Sequence, residues 1–210
     1  MELHKIVTKI QEHMWLGNGD QDYIMMYAVA RAFQVQSILE IGTHQGASAI
    51  TFCEAILDNG DTPHIITVDN WCGIPSQPQD EDYKIRMKAR ALGFMKEAGY
   101  DKYITMIEGD SAIVLPEVFE KIGNVDLCFI DGNHSPNYVL CDFKTCSKYS
   151  NLMLLHDCYE AEYLTPIRSL GCTALSFPVR FRKVEGGNDK ISGITLVIKD
   201  ARKYTKPLER

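Results

Sequence analysis

The stretch Ile38-Leu39-Glu40-Ile41-Gly42-Thr43-His44-Gln45-Gly46-Ala47-Ser48 constrains this chain more than any other. An apolar run ends in Glu-x-Gly-x-x-x-Gly, and a second apolar run (Ala49, Ile50, Phe52, Ile56, Leu57) follows at once. The pattern predicts a buried strand, a tight glycine turn and a helix. Glycines in such a turn let backbone approach a ligand, and the free N–H groups of the helix start face it. In open α/β sheets this crevice, beyond the carboxyl end of a strand, is where ligands bind. The turn lacks the G-x-G-x-x-G of a dinucleotide site and the Lys-Ser/Thr of a phosphate loop. An acid two positions before Gly42 suits a cationic or hydroxyl-bearing ligand better than a pyrophosphate.

The rest of the chain alternates in the same way. Residues 3–14 and 20–33 carry apolar side chains at helical period, with Asp20 as a candidate cap after Gly17-Asn18-Gly19. Short β-branched or apolar runs at 37–41, 64–69, 103–108, 125–131 and 151–157 predict strands covered on both faces. Helical stretches follow at 84–98, 111–122, 138–148 and 163–170, with Pro116 a kink or a later start for its helix. Between Asn70 and Tyr83 lies a long irregular insert holding Trp71, and loops of that length are commonly functional. The runs 177–184 and 193–199, joined through Glu185-Gly186-Gly187-Asn188-Asp189, predict a closing β-hairpin. Strand–helix alternation implies a Rossmann-like, doubly wound, mostly parallel sheet with helices on both faces. The hairpin adds an antiparallel last strand.

At 210 residues and 45% hydrophobic content, the chain fits one domain with a real core. We expect an N-terminal helical extension over 1–34 and the sheet domain over 35–200. A net charge of −6 argues against nucleic acid or an anionic membrane as partner. Seven scattered cysteines without C-x-x-C, and an N-terminus with no apolar leader, point to a reducing cytoplasm.

Four predicted strands end in acid, at Glu40, Asp69, Asp131 and Asp157, and Gly109-Asp110-Ser111 follows the remaining one. Any one of these is an ordinary turn former or helix cap. Together they place five carboxylates along one sheet edge, where like charges cost free energy unless a ligand or cation compensates.

Glu40-x-Gly42-x-x-x-Gly46 resembles the first motif of class I S-adenosylmethionine (SAM)-dependent methyltransferases. Asp126-Leu127-Cys128-Phe129-Ile130-Asp131-Gly132-Asn133-His134-Ser135 is similar to the fourth motif of their small-molecule O-methyltransferase branch, typically D-x-x-F-I-D-G-D-H-S-Y, with Asn133 in place of its second acid. Leu152-Met153-Leu154-Leu155-His156-Asp157 resembles that branch's fifth strand, which often ends in H-D. The matches span roughly residues 35–160.

The resemblance implies a seven-stranded sheet with its last strand antiparallel, SAM as cofactor and a small hydroxylated methyl acceptor. It places Glu40, Gly42, Thr43, Gly46 and Ser48 at the methionine end of SAM. Asp69 then holds the ribose, Asp110 and Ser111 face adenine, and Asp131 lies at the cofactor's edge. A hydroxyl acceptor needs a base or a cation. His134, just past a strand end, is the candidate base. Asp131, His156 and Asp157 form a candidate site for Mg²⁺ or another divalent cation. Relatives that use a cation follow the second acid with Asn or an acid; Cys158 departs from this, and His156 suits a softer metal. Two rivals stay open on the residues alone: a nicotinamide-dependent oxidoreductase on a similar sheet, and a catalytically silent binding module of the same fold. The N-terminal helices read equally as a lid or as a homodimer contact.

Overall fold

The computed structural model describes residues 20–72, 80–181 and 190–203. The helix expected at 3–14 and the hairpin turn at 185–189 lie outside the described residues. The elements run α1 (Asp20–Ala32), β1 (Ser37–Ile41), α2 (Ala47–Asp58), β2 (His64–Asp69), α3 (Glu81–Glu97), β3 (Ile104–Glu108), α4 (Ser111–Ile122), β4 (Leu127–Ile130), α5 (Pro136–Cys146), β5 (Leu152–His156), α6 (Ala161–Ser169), β6 (Thr173–Phe181) and β7 (Lys190–Ile198).

The seven strands form one sheet in the order β3-β2-β1-β4-β5-β7-β6. β1 to β5 pair in parallel, and β7 runs antiparallel to both β5 and β6. The expected topology is therefore present. β6 starts four residues before the expected hairpin arm, at Thr173. α3 also begins earlier than expected: Asp80 accepts from the Tyr83 N–H at 2.7 Å, and Glu81 and Asp82 sit in its first turn. This carboxylate cap at the positive helix end starts the helix inside the expected insert. Pro116 leaves α4 unbroken from Ser111 to Ile122.

Alternation along the strands builds two cores. Ile38, Ile65, Leu127, Phe129, Leu152 and Leu154 pack on one face with Met26 and Val29 of α1, Phe52 and Ile56 of α2, and Met95 of α3. Leu39, Cys128, Ile130, Met153 and Leu155 pack on the other with Phe119 of α4, Phe143 of α5 and Ile167 of α6. A side-chain period of 2 sends neighbours to opposite faces, and each large apolar side chain so buried contributes about 2 kcal/mol. α2 is buried over nearly its whole length (Ala47 to Ile56), which explains why its apolar residues are not confined to one stripe.

This layout brings the carboxyl ends of the parallel strands to one edge, with the order reversing between β1 and β4. The β1–α2 turn sits at that reversal. The Gly42 N–H donates to Val68 O at 2.8 Å, and the Asp131 N–H donates to Ile41 O at 2.9 Å. Gly42 has φ +94°, and a Cβ on it would lie 2.2 Å from the carbonyl oxygen of Asp131. Gly46 has φ +83°, and its Cβ would meet the Met95 methyl group at 2.6 Å. Only glycine fits the first position, because backbone cannot yield; a methionine end can.

Replacing Gly42 by Ala is expected to cost at least about 3 kcal/mol, from left-handed strain plus overpacking. Gly46→Ala is expected to cost about 1–2 kcal/mol. Urea unfolding of both variants checks this, and equal losses would contradict the distinction.

Candidate active site

The edge is assembled from loops that follow β1, β2, β3, β4 and β5. Asp69, the last residue of β2, clamps the glycine turn: its Oδ2 accepts from the Thr43 and His44 N–H groups, each at 2.9 Å, and its Oδ1 from the Trp71 N–H at 2.7 Å. His44 and Trp71 take left-handed φ values of 46° and 57° to present those donors. The Gly109 N–H donates to Asp69 O at 3.0 Å, so the Gly109-Asp110-Ser111 turn is tied to the same strand end. Asp110 caps α4, accepting from the Ala112 N–H at 3.0 Å. Behind this turn, the buried carboxyl of Asp142 is pushed up to about 6 by burial.

Glu40 lies on the sheet side of the turn and is fully buried. Ser48 Oγ donates to one oxygen, Thr67 Oγ1 to the other at 2.5 Å, and Thr43 Oγ1 meets Thr67 Oγ1 at 2.6 Å. Burial pushes the Glu40 carboxyl up to about 8, against the pull of Ser48 and Thr67, with Asp131 and Asp69 adding to the rise. Glu40 and Ser48 thus brace the turn, with one hydroxyl on each carboxylate oxygen of Glu40.

Across the edge, Asp131 meets two histidines. Its Oδ1 lies 2.9 Å from His156 Nδ1 and 3.3 Å from His134 Nε2. His156 is the last residue of β5 and its side chain is only 5% exposed, whereas His134 is 45% exposed. His156 Nε2 lies 3.2 Å from Asp22 Oδ2 of α1, and that oxygen also accepts from Ser192 Oγ of β7 at 2.8 Å. Burial disfavours charge on His156, but Asp131 and Asp22 overturn this and raise its pKa to about 11. The same pairing overcomes burial at Asp131 and holds its carboxyl well below the usual range. Tyr163 of α6 donates to the His134 carbonyl at 2.8 Å and steadies the loop that carries it.

Asp157 borders this cluster. With φ +54°, it turns its Oδ1 to the Gly193 N–H at 3.0 Å, and its Oδ2 lies 3.8 Å from His156 Nδ1. Cys158 is buried and donates to the His156 carbonyl. Among the described residues, the set whose ligand atoms could share one metal is Asp131, His134 and His156, all within 4.8 Å of one another. The expected set of Asp131, His156 and Asp157 is thereby altered: His134 enters where Asp157 was anticipated. Trp71, at the start of the expected insert, is buried at the end of β2, and among the described residues its Nε1 has no partner. An open cleft of 420 Å³, lined in part by Phe33, Asp126, Tyr149 and Lys199, lies at the opposite end of the sheet and holds none of these residues.

Asp22 and Ser192 were missed by sequence reasoning. Asp22 carried a faint signal, since it shares the buried helical stripe of Met26, Val29 and Ala30, where an acid needs a partner. Ser192 carried none.

Known proteins agree with this architecture. A family model described as a methyltransferase domain matches residues 39–158, more than half the chain, and the chain belongs to that methyltransferase family. No curated protein matches the sequence. Among solved structures, the O-methyltransferase TomG of tomaymycin synthesis from Streptomyces achromogenes, in complex with SAM, has a TM-score of 0.64 at 20% identity, covering 93% of this chain and 88% of its own. An O-methyltransferase from Bacillus cereus in complex with SAH has a TM-score of 0.61 at 13% identity, covering 93% and 89%. The SAH-bound Podospora anserina methyltransferase PaMTH1 has a TM-score of 0.61 at 19% identity, covering 94% and 88%. No described helix is long and apolar enough to cross a membrane.

The raised Glu40 carboxyl predicts a pH signature. The folded state takes up a proton there before the unfolded chain does, so the group's contribution is full below about pH 4.5 and lost as pH rises through about 8. Between pH 5 and 8.5 the wild type should lose stability relative to Glu40→Gln, by an amount on the order of a few kcal/mol. Parallel urea-unfolding results for the two proteins would contradict the assignment.

Proposed function

We propose that this protein is a SAM-dependent O-methyltransferase acting on a small hydroxylated molecule. The observation that carries the reading is one sheet edge that joins the glycine turn, the Asp69 clamp and the Asp131 cluster, in a chain belonging to a methyltransferase family.

The residues present suit SAM. α2 opens at Gly46 without a side-chain cap and without an acid in its first turn, so its N–H groups are suited to the cofactor's carboxylate. Asp69 Oδ2 already accepts two backbone N–H bonds, but Oδ1 accepts one and keeps a lone pair for a ribose hydroxyl. Asp110 uses Oδ1 as a cap and retains Oδ2 for an exocyclic amine. Bound SAM supplies an electrophilic methyl group on sulfur; the chain's own task is to hold the acceptor oxygen in line, exclude water and remove a proton. His134, half-exposed and 3.3 Å from Asp131, is the group available to the acceptor's proton, directly or as part of a cation site built on the same side chains. Absence of the G-x-G-x-x-G turn disfavours a nicotinamide cofactor. The acceptor is a small molecule rather than nucleic acid or membrane, in keeping with the net charge of −6. A cytoplasmic location completes the proposal, with the N-terminal region as either a lid or a homodimer contact.

Two variants test it. Asp69→Ala should weaken SAM binding at least about tenfold by calorimetry, the loss of a charge-assisted bond. His134→Ala should leave SAM affinity unchanged and lower methyl transfer from labelled SAM, over a panel of small hydroxylated acceptors, by about 100-fold or more. Unchanged SAM binding by the first variant, or full turnover by the second, would overturn the respective role.

A further inference from the structure

The ligand chemistry of the Asp131 cluster differs from that of a magnesium site. Hard cations such as Mg²⁺ are held by carboxylates and water, with oxygen ligands throughout. Here one oxygen of the second strand-end carboxylate, Asp157, accepts from the Gly193 N–H and the other lies 3.8 Å from His156 Nδ1, whereas two imidazole nitrogens approach Asp131 more closely.

We propose that Asp131, His134 and His156 form a two-histidine, one-carboxylate site for a first-row transition metal of the Zn²⁺, Co²⁺ or Fe²⁺ type, and that Mg²⁺ is a poor occupant. Three independent features of the geometry carry this.

Both separations from Asp131 suit a shared metal. Two ligands sharing a metal at about 2.1 Å stand about 3.0–3.4 Å apart in octahedral or tetrahedral geometry. Asp131 Oδ1 lies 2.9 Å from His156 Nδ1 and 3.3 Å from His134 Nε2.

The buried imidazole is oriented as a metal ligand is. His156 Nε2 lies against Asp22 Oδ2, which Ser192 Oγ holds in turn. A carboxylate on the far nitrogen fixes the ring and makes the near nitrogen a better donor, the usual arrangement behind a metal-bound histidine. The near nitrogen, Nδ1, is buried and among the described residues makes no aligned hydrogen bond; what it meets is the Asp131 carboxylate at 2.9 Å, the contact that a shared cation would bridge.

The site is also one-sided. His156 is buried while Asp131 and His134 are partly exposed, so three protein ligands come from the β5, β4 and loop side. The remaining positions face outward, as a catalytic rather than a structural metal requires. Such a metal would bind the acceptor's oxygen and lower its pKa, with the proton passing to solvent or buffer. That role rests on the O-methyltransferase reading, whereas metal binding itself does not.

The test uses the full-length protein, stripped of metal with a chelator and titrated with Co²⁺, Zn²⁺ and Mg²⁺. Co²⁺ should bind at one per chain and develop visible bands of a nitrogen–oxygen site without the near-ultraviolet band of a cobalt thiolate. Zn²⁺ should displace it, and Mg²⁺ should bind at least about 100-fold more weakly than Zn²⁺. His134→Ala, at a half-exposed position, should lower Co²⁺ affinity at least tenfold, and Asp22→Asn should lower it about tenfold through His156. Co²⁺ affinity unaffected by His134→Ala, a thiolate band, or Mg²⁺ binding as tight as Zn²⁺ would overturn the proposal. Calorimetry with SAM on the same sample separates the two ideas: SAM binding without Co²⁺ binding removes the metal alone, and Co²⁺ binding without SAM binding removes the methyltransferase reading alone.

Discussion

The edge depends on one close crossing, where the backbone of Gly42 runs directly over the carbonyl of Asp131. No side chain fits between them. The crossing joins β1 to β4 at the point where strand order reverses, and it sets how near the glycine turn comes to the Asp131 cluster. Asp69 secures the turn from the β2 side through the Thr43 and His44 N–H groups. Held at both ends, the turn delivers the start of α2 to the crevice without needing a side-chain cap.

Five carboxylates on one edge would repel, yet the protein compensates each of them internally. Glu40 is pushed toward its neutral form by burial and sits between two hydroxyls. Asp69 draws on three backbone N–H groups, Asp110 on the start of α4, and Asp157 on Gly193. Asp131 has two imidazoles. Convergence of acids is therefore not in itself a sign of an absent cation. What points to a ligand is narrower: the spare acceptor capacity of Asp69, and a buried imidazole nitrogen beside Asp131 with no aligned hydrogen bond among the described residues.

The sheet was legible because its central strands, β1, β4 and β5, are almost wholly buried and read as plain apolar runs bounded by turn residues. Strand ends were accurate at Glu40–Ile41 and Asp69, where glycine or a polar residue stops the run. β6 was less so: its first half, Thr173-Ala174-Leu175-Ser176, alternates in exposure and pairs with β7 through backbone, a relation between distant segments. The start of α3 hid within an insert rich in Pro and Gln, although Asp80 was a cap in plain view. At the site, the residue types were readable and their orientations were not. Motif position could not reveal that Asp157, at a left-handed φ, gives one oxygen to the Gly193 N–H, or that Asp22 reaches His156 across 134 residues.

The central claim is that the crevice between the β1–α2 turn and the ends of β2 and β4 is a SAM site. A crystal structure of the protein grown with S-adenosylhomocysteine tests it most directly. The account predicts the ribose within hydrogen-bond distance of Asp69 and the sulfur directed toward the side of the Asp131 cluster. A ligand bound at the far end of the sheet, or a crevice left without it at saturating concentration, would contradict the account.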